Sequence, residues 1–175
     1  SSGAIIMSKH QSAWETIALR GLLSSNQTWV LKQELMWLPV FGWALATLKP
    51  IAIDRKAGKR AARQIIDEGI KSLQQDRIVI IFPEGTRTAP GSRKKYGIGG
   101  GLLAEKAQVP VIPIAHNAGV FWPRRGLRKL AGRIQVVIGE PMDTTGLSAA
   151  QITRQVEKWI EDQQLLLPTY PQSNP

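Results

Sequence analysis

Four consecutive β-branched residues, Ile78-Val79-Ile80-Ile81, stand between Arg77 and the pair Phe82-Pro83. A strand with one wet face alternates apolar and polar side chains. This run does not alternate, so both of its faces have to be covered. Residues 111–115 form a second run of the same kind, and shorter apolar segments at 4–7, 28–31, 51–53 and 132–138 read as further strands. Between them the period changes. Ala62, Ile65, Ile66, Gly69, Ile70 and Leu73 recur at helical spacing, and Ile152, Val156, Trp159 and Ile160 mark one face of a helix over 148–163 with Ser148 as its N-cap. Residues 12–23 and 99–106 also read as helices, 35–48 as partly helical, and 83–97 as a long Gly-, Pro- and Arg-rich loop. Strands alternating with helices predict an α/β fold, a single domain with a mostly parallel mixed sheet flanked by helices. The domain is expected over residues 1–167, with 168–175 a flexible tail.

Composition narrows the chemistry. Lys and Arg number 23 against 13 Asp and Glu, a formal net charge of +10. That balance points to an anionic partner, whether nucleic acid, a membrane surface or a phosphorylated ligand. There is no cysteine, which excludes disulfides, thiol nucleophiles and cysteine-held zinc. His10 and His116 are the only histidines, too few for a His-rich metal centre. No stretch reaches the ~18 apolar residues of a membrane span. The nearest, 35–48, is broken by Pro39 and Gly42. Ser1-Ser2-Gly3 runs straight into the apolar Ala4-Ile5-Ile6-Met7 with no signal-peptide pattern, so the chain is expected either to be an excerpt or to carry Ser1 and Ser2 as added residues.

Four segments hold residues that could do chemistry. His10 follows the first strand and Glu15 comes five positions later. Five positions turn a side chain by about 140° on a regular helix. The pair meets only if His10 lies in the turn before the helix and Glu15 in its first turn. A carboxylate placed there would orient the imidazole, and His10 would take a proton from a substrate hydroxyl. Ser12-x-x-Glu15 is also a capping box, which accounts for Ser12 and Glu15 without any function.

Phe82-Pro83-Glu84-Gly85-Thr86-Arg87 follows the strongest strand, where ligands of open α/β sheets bind. Gly85 permits a tight backbone, Thr86 offers a hydroxyl and Arg87 a fork that fits phosphate oxygens. Glu84 would hold Arg87 or meet a ligand hydroxyl; a plain surface turn in which the two pair is the alternative. Arg55 ends a short strand and is a ligand candidate, whereas Lys59, Arg60 and Arg63 read as a solvated basic face. Val109-Pro110-Val111-Ile112-Pro113-Ile114 either lines an acyl-binding wall or is ordinary core. His116 reads as structural.

In this order the four segments resemble the blocks of the glycerolipid acyltransferase family, and within it the bacterial 1-acylglycerol-3-phosphate acyltransferases. His10 to Glu15 is similar to the H-x-x-x-x-D block, with Glu for Asp. Ile51-Ala52-Ile53-Asp54-Arg55 resembles the second block. Phe82 to Arg87 matches F-P-E-G-T-R in full, and Val109 to Ile114 matches V-P-x-x-P-x. The resemblance implies transfer of an acyl group from acyl-CoA or acyl-carrier protein to lysophosphatidic acid, giving phosphatidic acid, with no metal or resident cofactor. It implies His10 as general base and Glu15 as its orienting acid. Arg55 and Arg87 would take the acceptor phosphate in a site shaped by Glu84, Gly85 and Thr86. Val109, Pro110, Ile112 and Pro113 would touch the acyl donor or chain. Backbone N–H groups near Gly85 or Ser12 are candidates for the oxyanion.

The aromatic-rich segment 35–48, with Trp37 and Trp43, is expected either to dip into one leaflet or to form a buried helix. The expected location is the cytoplasmic face of a bacterial inner membrane, peripheral or anchored through a preceding segment. An acceptor such as glycerol-3-phosphate or another lyso-lipid is the nearest alternative. A non-catalytic lipid- or nucleic-acid-binding module is the alternative from another class, using cations at 55–63, 93–95 and 124–129. No nucleic-acid-binding motif accompanies those cations, so no nucleic-acid partner is expected.

Overall fold

The structure, a computed structural model, describes residues 3–23, 26–124 and 129–170. In chain order its elements are β1 (Ile5–Ser8), α1 (Trp14–Leu22), β2 (Gln27–Lys32), α2 (Phe41–Ala46), β3 (Ile51–Ile53), α3 (Lys59–Leu73), β4 (Ile78–Ile81), α4 (Gly99–Ala107), β5 (Val111–His116), α5 (Ala118–Phe121), β6 (Val136–Ile138) and α6 (Ala149–Leu166). Single 3-10 turns, Gln33–Trp37 and Arg55–Ala57, follow β2 and β3.

The strands form one sheet in the order β3-β2-β4-β1-β5-β6. The first five run parallel, and β6 pairs antiparallel to β5. The expected mostly parallel mixed sheet is therefore what forms. β4, the run with no polar alternation, lies between β2 and β1, where both of its faces are covered. Successive strand side chains point to opposite faces. Ile5, Met7, Val79, Ile81 and Val111 join the core under α3, α4 and α6. Ile6, Ile80, Phe82 and Ile114 face the other way, with Trp29 and Leu19 of α1.

The helices on the larger face pack closely because α4 offers no side chain at the contact. A Cβ on Gly101 would lie 2.4 Å from the Ala149 carbonyl oxygen of α6. At the start of α6, Ser148 is the N-cap expected of it, accepting the Gln151 N–H, and the Gln151 side chain returns to the Ser148 N–H.

The differences from expectation are local. Residues 35–48 split at Pro39 into a 3-10 turn and α2. β6 keeps only the last three residues of the strand expected over 132–138. α5, four residues long, is too short to show a period and was not expected. Of the tail, residues 171–175 lie outside those described.

Candidate active site

β1 and β4 end side by side, so His10 and the segment 82–87 meet at the carboxyl edge of the sheet. His10 sits in the turn before α1 and Glu15 in its first turn, the only arrangement that lets the pair touch. The His10 Nδ1 lies 2.9 Å from Glu15 Oε1. The same carboxylate accepts the Gln11 and Ser12 N–H groups, each at 2.8 Å. Glu15 thus does both jobs left open by the sequence, capping the turn and orienting the ring. Ser12 completes its half differently from a capping box, accepting the Trp14 N–H at 3.1 Å.

Burial pushes the Glu15 carboxyl up. The hydrogen bond with His10, the electrostatic pull of the His116 and His10 rings, and the Ser12 N–H outweigh that and hold it below its ordinary value. An ionised Glu15 can only accept, so His10 carries its proton on Nδ1 and keeps the Nε2 lone pair for chemistry. The ring lies flat on Phe82, with centroids 4.1 Å apart and planes 15° apart.

The loop after β4 turns sharply. The Gly85 N–H donates to the Phe82 carbonyl at 3.0 Å, with Pro83 and Glu84 inside the turn. Gly85 has φ +68°, a conformation that favours glycine. The loop then clamps the backbone of His10 from both sides. Glu84 Oε2 accepts the His10 N–H at 3.0 Å, and the Thr88 N–H donates to the His10 carbonyl at 2.8 Å. Glu84 is 2% exposed. Its other oxygen takes the Lys9 ammonium at 2.9 Å and the Thr88 hydroxyl at 2.9 Å. The pairing of Glu84 with Arg87 is therefore corrected: Lys9 takes the carboxylate. Glu84 shapes the site from within, with both oxygens engaged.

The Arg55 guanidinium donates to the Gly85 carbonyl, joining the end of β3 to the loop. Burial lowers its pKa from the usual value. Arg55, Arg87 and His10 all line one cavity of about 450 Å³. Leu35, Leu45, Leu48 and Trp29 supply apolar wall, and no carboxylate is among the lining residues. Among the described residues, no carboxylate forms an ion pair with Arg55 or Arg87. A second cavity of about 300 Å³ lies on the α3 and α4 side and shares Val30, Arg55 and Phe82 with the first. Thr86 is half-buried and lines neither.

Other residues singled out in the sequence fall elsewhere in the molecule. Val109, Pro110, Ile112 and Pro113 line neither cavity. Val109 belongs to the core, and Ile112 and Pro113 sit within β5, paired with Ile6 and Met7 of β1. Pro110 is exposed and Ile112 half-buried, and the strand interior lies below the carboxyl edge where His10 sits. Of the backbone N–H groups near Gly85 and Ser12 suggested for the oxyanion, those of Ser12 and Gly85 themselves are engaged, by Glu15 and by the Phe82 carbonyl. Lys59, Arg60 and Arg63 are exposed on the first turns of α3, and Arg63 pairs with Asp67 at 3.7 Å. Arg124 donates to the Arg87 carbonyl at 3.1 Å, and residues 125–128 of that basic cluster lie outside the described residues.

Two residues near the site escaped the sequence, and a third, His116, takes the structural place expected of it. Lys9 is 1% exposed; alternation from Ile5 and Met7 points it inward, the one signal that could have found it. Thr88 lies one residue past the matched block. His116 donates from Nε2 to the Lys9 carbonyl at 2.8 Å and accepts the Ala118 N–H on Nδ1 at 3.3 Å. Burial lowers its pKa against the pull of Glu15, so it serves as a neutral strut.

A family model described as Acyltransferase matches residues 1–117. Over 161 residues the chain is 47% identical to the 1-acyl-sn-glycerol-3-phosphate acyltransferase of Pseudomonas aeruginosa, covering 90% of this chain and 62% of that protein. Over 144 residues it is 33% identical to the 1-acyl-sn-glycerol-3-phosphate acyltransferase alpha of Ovis aries, covering 82% of this chain and 50% of that one. The chain thus spans about half to two thirds of the length of these curated relatives. The crystal structure of the 1-acyl-sn-glycerophosphate acyltransferase from Thermotoga maritima superposes with a TM-score of 0.78 at 24% identity, over 95% of this chain and 66% of that one. At that identity the likeness concerns the fold.

Proposed function

The chain belongs to the acyltransferase family, and from that premise we propose that it moves a fatty acyl group from a thioester, acyl-CoA or acyl-carrier protein, to the sn-2 hydroxyl of lysophosphatidic acid. The product is phosphatidic acid. One observation carries the reading: a single cavity joins the oriented imidazole of His10, the guanidinium groups of Arg55 and Arg87, and an apolar wall. Those are the parts needed to hold an amphiphile with an anionic head and an alcohol. The names of the relatives agree with that substrate.

His10 Nε2 takes the proton of the acceptor hydroxyl as its oxygen attacks the thioester carbonyl carbon. Glu15 holds the imidazolium that forms. The carbon–sulfur bond then breaks, and the departing thiolate takes the proton back from His10. Arg55 and Arg87 hold the acceptor phosphate, and the positive cavity favours the developing oxyanion. No metal or resident cofactor has a part in this scheme.

Acyl-CoA and acyl-carrier protein, each set against lysophosphatidic acid, glycerol-3-phosphate and lysophosphatidylcholine, test the assignment. Lysophosphatidic acid should be the preferred acceptor, since its chain meets the apolar wall and its phosphate the two arginines. Arg87→Ala should raise its KM about tenfold or more, the scale of losing a charged hydrogen bond. Equal use of lysophosphatidylcholine, which lacks the terminal phosphate monoester, would contradict the assignment.

The same reading puts the cavity mouth against an anionic leaflet, on the cytoplasmic face of the membrane. Trp37 is 70% exposed and Trp43 72%, with Leu38 and Val40 also outward. Leu35 and Leu45, from the same segment, line the cavity. No helix among the described residues is long and apolar enough to cross a membrane. Exposed tryptophan beside a charge of +10 favours an anionic interface. Flotation with vesicles containing anionic lipid should recover the protein, and Trp37→Ala with Trp43→Ala should reduce recovery several-fold. Unchanged recovery defeats this placement.

A further inference from the structure

The segment that carries His10 is held from behind. Side chains alternate along extended backbone, so Lys9 and Gln11 leave the chain on the side opposite the His10 ring. Both end on α6. Lys9 Nζ lies 2.9 Å from Glu161 Oε1. Gln11 Nε2 donates to Gln164 Oε1 at 2.8 Å. Glu161 and Gln164 are three positions apart, so they share one stripe of the helix. Each has a second partner that fixes it. The Tyr96 hydroxyl donates to Glu161 Oε1 at 2.9 Å, and Gln164 Nε2 donates to the His116 carbonyl at 3.0 Å.

These contacts are not what packs α6 onto the domain. Ile152, Val156 and Ile160 do that, all buried. The polar stripe instead meets the two neighbours of one residue, His10. It also lies beyond residues 1–117, the stretch that the family model covers. Among the described residues the His10 ring itself has one hydrogen bond, to Glu15, and a stack on Phe82. Its aim into the cavity depends on where the backbone of residues 9–11 is held, and a shift of about 1 Å in a reacting group can cost ~100-fold in rate.

We propose that α6 is a positioning element for catalysis, in which Glu161 and Gln164 grip the residues on either side of His10 and fix the imidazole's aim. Neither residue touches substrate. The inference rests on the reading of His10 as general base.

The test compares the Glu161→Ala/Gln164→Ala double variant with Ile152→Ala, a core change on the same helix. Both are assayed for acyl transfer at a temperature where each is folded. Amide hydrogen exchange at residues 9–12 gives a readout independent of turnover. The double variant should lose about 10- to 100-fold in kcat, with KM for lysophosphatidic acid within about twofold. Its amides at 9–12 should exchange faster. Ile152→Ala should lower Tm and leave kcat and those amides as in the wild type. Glu161→Gln, which keeps an acceptor for Lys9 and Tyr96, should retain most activity.

Wild-type kcat in the double variant, an equal loss in Ile152→Ala, or unchanged exchange at residues 9–12 would each overturn the proposal. If the wild-type chain transfers no acyl group, the general-base reading fails by itself, and the exchange data still decide whether α6 holds the segment.

Discussion

His10→Ala should lower turnover by about 10²- to 10⁴-fold, the scale of losing a general base. The variant should fold, because the ring is held by one hydrogen bond and one stack, while the clamp on residue 10 uses its backbone. Acceptor binding should persist, since Arg55 and Arg87 are untouched. The expected signature is therefore a fall in kcat with KM for the acceptor little changed, read from initial rates of phosphatidic acid formation. A wild-type rate would remove His10 from the mechanism and leave Glu15 as a helix cap only.

Lys9→Met should lower stability by about 3–5 kcal/mol, the usual cost of removing one partner from a buried ion pair. For a chain of this size that is a fall of roughly 6–20 °C in Tm. Methionine replaces most of the lysine stem, so the loss would not be a cavity effect. It comes from leaving the buried Glu84 and the partly buried Glu161 without a cation; their side chains are 0% and 14% exposed. Adding Glu161→Gln should recover part of the loss. One carboxylate would then remain, still supplied by the Thr88 hydroxyl and the His10 N–H. Urea unfolding of the wild type and the two variants measures this. A Lys9→Met protein as stable as the wild type would show that the buried lysine contributes no net stability.

Those two expectations differ in how far they could be read from the chain. The run Ile78-Val79-Ile80-Ile81 demanded cover on both faces, and it forms a strand inside the sheet with helices on either side. The order strand, His10, helix with Glu15 allowed one contact geometry, and that geometry occurs. Both are local: a period or a turn decides them. What the chain did not disclose is long-range. The partner of Glu84 is Lys9, 75 positions away, rather than Arg87, three positions away. The choice follows from β4 settling beside β1, a matter of strand order that no local pattern encodes. The segment around Pro113 matched a family block yet packs as β5, because a motif says which residues recur and not which side of a strand meets the cavity. Lys9 could have been placed by alternation alone, but lysine is so seldom buried that the inward position had no support until Glu84 and Glu161 were seen around it.

Central to this mechanism is one small molecule bridging the imidazole and the guanidinium groups. The most direct measurement is a crystal structure of this chain with lysophosphatidic acid bound and no thioester present. The phosphate should lie on Arg55 and Arg87, with the free hydroxyl oxygen about 3 Å from His10 Nε2. A head group seated elsewhere, or a hydroxyl beyond hydrogen-bond reach of that nitrogen while the phosphate sits on the arginines, would contradict the mechanism.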